Sequence, residues 1–126
     1  MIAAPNRSPS ALRARAVLTK DTIEAAERLG LSQKVLSKII GQPDSVVSRM
    51  KSGDDMLDGG KAFELAALFV RLYRSLDAIV AGDETAAREW IKAENLALGG
   101  APVDLIQKVQ GLFHVVQYLD ARRAPV

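Results

Sequence analysis

From Asp21 onward the chain repeats one pattern: apolar residues three and four positions apart, punctuated by glycines and by small polar residues that start or stop helices. In a first helix over residues 21–29, Ile23, Ala26 and Leu29 share one side, opposite Glu24, Glu27 and Arg28. Gly30 supplies the residue that ends it. Ser32 is placed to cap a second helix, whose Val35, Leu36, Ile39 and Ile40 form an apolar stripe closed by Gly41. Asp44 has the chemistry of an N-cap for a third helix over 45–51, closed by Ser52 and Gly53.

The longest periodic run, 61–81, has two adjoining apolar sides. Phe63, Ala66, Phe69, Val70, Tyr73 and Val80 line one, and Leu65, Leu68, Leu72, Leu76 and Ile79 the other, leaving a narrow polar strip with Glu64, Arg71 and Arg74. A helix apolar over that much of its circumference is central and is contacted from several directions. Gly82 terminates it, and Asp83 caps a helix over 84–92 that buries Ala86, Ala87, Trp90 and Ile91. Gly99-Gly100 and Pro102 break the next stretch, and Pro102 starts a short helix through Leu105 and Ile106. A last stripe, Val109, Leu112, Phe113, Val116 and Leu119, runs to about Arg122. Gly111 inside it costs about 1 kcal/mol of helix propensity relative to Ala. It marks either a close helix contact or the real start of the last helix.

Periodicity of this kind throughout predicts an all-α chain: an N-terminal helix-turn-helix fused through a long central helix to a small helical C-terminal domain. The expected division is 1–18 as a mobile basic arm, able to take up helix over 10–18, then 19–60 as the helix-turn-helix unit and 61–126 as the C-terminal domain. The arm either touches an anionic partner or is simply solvated. The loop with Asp54, Asp55 and Asp58 lacks the alternating oxygen ligands and closing Glu of a calcium loop. Gly59-Gly60 has no following Gly-Lys-Ser/Thr to cradle a phosphate.

The pair of helices around Gly41 has the spacing of a DNA-binding helix-turn-helix. Projected down the third helix, Val46, Val47 and Met50 lie together, with Ser45, Ser48, Arg49 and Ser52 opposite and Lys51 beside them. One face can dock on the scaffold while short hydrogen-bonding groups and an arginine face a groove. Gln33, in the first turn of the preceding helix, is expected near a phosphate. The competing reading is a serine-rich face that is only solvated.

Composition sharpens this picture. Charge is divided unevenly: residues 1–53 carry nine Lys/Arg against four Asp/Glu, and residues 54–126 carry eight against eleven. A basic front suits an anionic partner. Aromatics are 5% of the chain, so the core is aliphatic, and hydrophobic residues at 48% exclude a mostly disordered chain. There is no cysteine, which removes disulfides and thiolate chemistry. No apolar run approaches the roughly 20 residues of a membrane span. The start, with Pro5, Pro9, Arg7, Arg13 and Arg15, lacks a secretory h-region, so a cytoplasmic protein with no membrane partner is expected. His114 has no ligating neighbour, and no serine or lysine has a partner base. Neither a catalytic residue, a metal site nor a cofactor is expected, and the chain reads as a non-enzyme.

Trp90-Ile91, Asn95-x-x-Leu98-Gly99-x-x-Pro102, Leu105-Ile106, Gly111, Val115-Val116 and Leu119, led in by Gly82 to Ala87, resemble a known pattern. It is that of the toxin-binding domain of Xre/MbcA/ParS-type antitoxins, and the resemblance covers about 60–122. The helix-turn-helix at 30–53 fits the usual N-terminal half of such proteins. The resemblance implies an antitoxin of a type II toxin–antitoxin pair, whose partner is a toxin that uses NAD. Such a toxin is of the RES type, degrading NAD, or of the ParT type, transferring ADP-ribose to a protein. It further implies neutralisation by covering the toxin's NAD pocket with the C-terminal helix and tail. Homodimerisation, higher complexes with the toxin, and repression of the antitoxin's own operon DNA are implied too.

On that basis Tyr118, Asp120, Arg122, Arg123, Pro125 and Val126 are the expected toxin contacts. Trp90, Asn95, Leu98, Gly99, Pro102 and Gly111 are the expected structural platform. The chain departs from the family in lacking a Gly-containing segment after the last helix, and it ends Arg122-Arg123-Ala124-Pro125-Val126 instead. The two arginines either enter an NAD pocket through its carboxylates or pyrophosphate site, or merely complement a helix C-terminus. Two other roles compete with the antitoxin reading. One is a stand-alone repressor whose C-terminal half only dimerises. The other is a small-molecule-responsive regulator with a pocket between the long helix and the C-terminal helices.

Overall fold

The computed structural model describes residues 7–123, and among them the periodic segments become seven helices with no strand. These are α1 (Pro9–Arg28), α2 (Gln33–Ile40), α3 (Asp44–Ser52), α4 (Lys61–Ile79), α5 (Glu84–Lys92), α6 (Pro102–Leu105) and α7 (Val109–Arg122). The doubly apolar helix is central as expected: α4 packs against α1, α2, α5 and α7. Ala62, Leu65, Ala66, Phe69, Leu72 and Leu76 of α4 belong to one continuous core with residues from both halves of the chain. The halves therefore share a wall.

The first helix differs most from expectation. The helix allowed for over 10–18 forms, and it joins the expected helix over 21–29 without a break as the 20-residue α1. The start signal is local: the Ser8 hydroxyl accepts the Ala11 N–H at 3.1 Å, and Pro9 occupies the first turn, where its missing N–H costs nothing. Thr19 and Thr22, polar by pattern, are buried because their hydroxyls donate to the Arg15 and Leu18 carbonyls one turn back. Residues 1–6 of the expected arm lie outside the described residues.

Ser32 caps α2 as expected, its hydroxyl accepting the Val35 N–H at 3.1 Å. Gly41 ends α2 in the left-handed region at φ 66°. Asp44 is not the cap of α3. Pro43, with φ −60° and ψ 151°, takes that position, and its carbonyl accepts the first helical N–H groups, from Val46 and Val47. Asp44 is the first residue of the helix, where its charge still suits the N-terminal dipole.

The segment 54–60 is more than a connector. Leu57 is fully buried, its N–H donates to Thr19 Oγ1 at 2.9 Å, and its carbonyl accepts from Arg15 Nε at 2.6 Å. The loop after α3 is thereby pinned to α1. In the second half, α5 is tied back to the first by Arg88. Its guanidinium donates to the carbonyls of Arg28 and Glu27 at the end of α1, at 2.8 and 3.1 Å, while pairing with Glu84. A cation at exposed helix-end carbonyls complements the dipole there.

Candidate functional site

Two surfaces carry the residues singled out by sequence. The first is the outer face of α3. Val47 and Met50 are buried and Val46 half-buried, so the helix docks by the face that its pattern assigns. Ser45, Ser48, Arg49, Lys51 and Ser52 are all exposed, on one continuous outward side. The helix does not stand alone. Gln33 Nε2 donates to the Asp44 carbonyl at 3.2 Å, joining the first turn of α2 to the first turn of α3. That bond uses one amide proton of the half-buried Gln33 and ties the first turns of the two helices together. At the other end, Arg49 Nε meets Asp55 Oδ2 at 3.3 Å, and the Ser52 hydroxyl donates to Asp54 at 2.9 Å. These aspartates, which read by sequence as part of a solvated linker without calcium-loop spacing, are instead partners of the α3 side chains. No group of three or more metal-type ligands is assembled among the described residues.

The second surface is the last two turns of α7. Leu112, Val115, Val116 and Leu119 are buried, which turns Val109 (56% exposed) and Phe113 (51% exposed) outward. The expected stripe was displaced by one flank: Val115, outside it, is buried, while Val109 and Phe113, inside it, are exposed. Trp90 is half-buried rather than a deep anchor. It stacks on Tyr118 with ring centroids 6.3 Å apart and planes at 25°, and the Arg122 guanidinium lies 3.5 Å from the Tyr118 centroid. A tryptophan expected in the platform and two residues expected at the partner surface thus form one ladder. A cation–π contact at an exposed site contributes about 0.5–1 kcal/mol.

Asp120 is committed inward. Its Oδ1 accepts the hydroxyl of fully buried Ser75 at 2.7 Å, and its Oδ2 pairs with Arg71 at 2.7 Å. Arg123 also reaches Ser75, at 3.3 Å. The Ser75 bond matters more than the ion pair. Orphaning a buried hydroxyl costs about 1–3 kcal/mol, whereas a pair as exposed as Arg71–Asp120 contributes about 0–1. Nothing in the one-dimensional pattern pointed to this cluster, since Ser75 reads as a break in an apolar face. Pro125 and Val126 lie outside the described residues.

The loop from Asn95 closes on itself. The Asn95 side-chain oxygen accepts the Leu98 N–H at 3.2 Å, its carbonyl accepts from Gly99 at 2.9 Å and Gly100 at 3.2 Å, and its N–H donates to Gly100 O at 3.1 Å. Gly99 sits at φ 81°, where a side chain would be strained. Leu98 is thereby tucked into the core and Pro102 placed at the start of α6. Gly111 resolves in favour of a close contact, because a Cβ there would overlap the Leu105 carbonyl oxygen. Neither described cleft lies between α4 and the C-terminal helices. The larger, 940 Å³, opens between α1, the end of α3 and the start of α5.

A helix-turn-helix with an outward polar face, fused to a helical unit with an aromatic surface ladder, defines a two-part binding protein. Residues 8–71 match the antitoxin Xre-like helix-turn-helix domain, and residues 75–124 match the antitoxin Xre/MbcA/ParS C-terminal toxin-binding domain. The chain belongs to this family of antitoxins, with a DNA-binding first half and a toxin-binding second half. It is not an enzyme, since neither domain family is enzymatic. No curated protein matches the chain. Among the described residues, no helix is long and apolar enough to cross a membrane.

Proposed function

We propose that this chain is the antitoxin of a type II pair and that its toxin uses NAD, either degrading it or transferring ADP-ribose from it. In this reading the last turn of α7 and the residues after it cover the toxin's active site. The observation that carries it is the Trp90–Tyr118–Arg122 ladder. It holds a guanidinium 3.5 Å from the centroid of a half-buried aromatic ring in the last turns of α7. A planar, permanently charged fork held there is suited to carboxylates or to a pyrophosphate site in an NAD pocket. Arg123 and the tail residues Pro125 and Val126 extend the same contact, while Asp120 serves from within by fixing the last turns to α4.

The same chain acts in the cytoplasm as a homodimer that represses its own operon. Ser45, Ser48, Arg49, Lys51 and Ser52 of each α3 face the major groove, and Gln33 aligns α2 with the backbone. A dimer of this kind reads half-sites roughly 34 Å apart.

The test is NAD consumption by the toxin encoded beside this chain, titrated with wild-type antitoxin and with a form lacking residues 122–126. Full inhibition by the first and loss of inhibition by the second are expected. Equal inhibition by both would place the inhibitory contact elsewhere, and a neighbouring toxin that leaves NAD untouched would remove the NAD assignment.

A further inference from the structure

The exposed arginine of α3 is already held before any DNA arrives. Arg49 donates from Nε to Asp55 Oδ2, and neither terminal nitrogen makes a bond among the described residues. This is the arrangement that leaves the two outer N–H groups of a guanidinium parallel and open. Those are the groups that fork onto O6 and N7 of a guanine.

Asp55 is itself a fixed post. Its other oxygen, Oδ1, accepts the Met56 N–H at 2.8 Å. The next residue, Leu57, is buried, with its N–H on Thr19 and its carbonyl on Arg15. A chain of bonds therefore runs from α1, through the loop after α3, to the one arginine on the outward face of α3. An arginine has many rotamers, and a carboxylate fixed by backbone contacts removes much of that freedom before binding.

We infer that Asp55 is a positioning residue for DNA recognition: it holds Arg49 through Nε so that the terminal nitrogens read a guanine in the operator. The inference rests on α3 being the helix that enters the major groove. A bare carboxylate near DNA would repel phosphates, and an acid acting only that way would weaken all DNA binding alike. A post that aims an arginine does something else. It raises preference for one base pair while leaving backbone attraction nearly unchanged.

The experiment compares wild type, Asp55→Ala, Asp55→Asn, Arg49→Ala and the Asp55→Ala/Arg49→Ala double variant, with thermal melts confirming that each is folded. The probes are the duplex upstream of the chain's own reading frame, single-base-pair variants of it, and a scrambled duplex of equal length.

The expected result is that Asp55→Ala lowers the ratio of operator to scrambled affinity about tenfold, as loss of one well-placed bidentate contact does. Binding to the scrambled duplex is kept. Arg49→Ala erases preference at the same guanine, the double variant is no worse than Arg49→Ala alone, and Asp55→Asn, which can still accept from Nε, keeps part of the preference. Tighter binding of Asp55→Ala to both duplexes at an unchanged ratio would overturn the inference and make Asp55 an electrostatic brake. Additive losses in the double variant would overturn it as well. A wild-type chain with no operator preference would overturn the groove-facing reading of α3 itself, a failure distinct from the other two.

Discussion

The outward face of α3 and the outward face of α7 solve different problems with similar residues. On α3 the polar residues project from a helix whose own apolar side is small, and the side chains that steady them come from elsewhere: Gln33 from α2, Asp55 from the following loop. On α7 the steadying is done by bulk. Its buried stripe lies on α4, Asp120 is tied to Ser75, and Tyr118 contacts both Trp90 and Arg122. A surface that meets a uniform duplex needs its reading groups aimed. One that meets a folded protein needs a rigid base. The difference predicts that the α7 surface fails through packing and the α3 surface through single side chains.

The largest effect is expected at Gly111. Helix propensity alone would make Gly111→Ala stabilising by about 1 kcal/mol. The Leu105 carbonyl oxygen occupies the place of the new methyl, and it is backbone, so α6 and α7 must separate. A net loss of about 3 kcal/mol is expected, read as a lower midpoint in chemical denaturation. Because α4 is the wall of both halves, the unfolding should stay one transition, with operator binding and toxin binding lost together as the chain melts. Two separate transitions would break the comparison at its root, by showing halves that stand independently.

Below that come the substitutions that separate the two activities. Arg49→Ala should weaken operator binding by about 1–3 kcal/mol and leave toxin neutralisation intact. Removal of residues 122–126 should do the reverse. Damage to both activities by either change would mean that the surfaces are not separate. The cut is placed after Asp120, so the buried Ser75 hydroxyl keeps its acceptor and loses only the longer contact from Arg123.

Asp120 itself sharpens the distinction between a partner contact and an internal one. Asp120→Ala should cost about 2 kcal/mol of stability, mostly through the buried Ser75 hydroxyl. Asp120→Asn, which can still accept from Ser75, should cost under about 1 kcal/mol, through Arg71 alone. With the Asn variant folded, neutralisation should be close to wild type. A large loss of neutralisation at unchanged stability would return Asp120 to the toxin surface.

Much of this architecture was readable in one dimension, and the exceptions share a cause. The α2–Gly41–α3 turn, the central α4 and the Asn95 to Pro102 loop are built from local signals: caps, a left-handed glycine, a proline in a first turn. Those survive projection onto a line. The unread features depend on polar groups satisfied by partners far away in sequence. Thr19 and Ser75 look like interruptions of an apolar face until their hydroxyls are seen to bond. Asp55 looks like one of several loop acids until Leu57 is found anchored on α1. The α7 stripe differs from its pattern for a related reason. Val109 and Phe113 have the right chemistry for a core and the wrong angle for this one.

The smallest expected effect lies where the halves join. Ala81 is the one non-glycine residue at positive φ among those described, at 52°, directly before Gly82 at 79°. The pair ends α4 by turning the chain sharply, and the Gly82 N–H donates to the Asp77 carbonyl at 3.0 Å. An L-residue in the left-handed region is disfavoured by roughly 1–2 kcal/mol, because its Cβ crowds the following carbonyl. Glycine removes that crowding but adds freedom to the unfolded chain, which offsets roughly 0.5–1 kcal/mol of the gain. Ala81→Gly should therefore stabilise by no more than about 1 kcal/mol, seen as a small rise in melting temperature. Both binding activities should be unchanged, since the α4 residues that pack on α1 and α7 all precede the turn. A variant that keeps its stability but loses toxin binding would show instead that the strained turn sets the angle of α5. Trp90, and with it the ladder that holds Arg122, would then be positioned by this joint rather than by packing on α4.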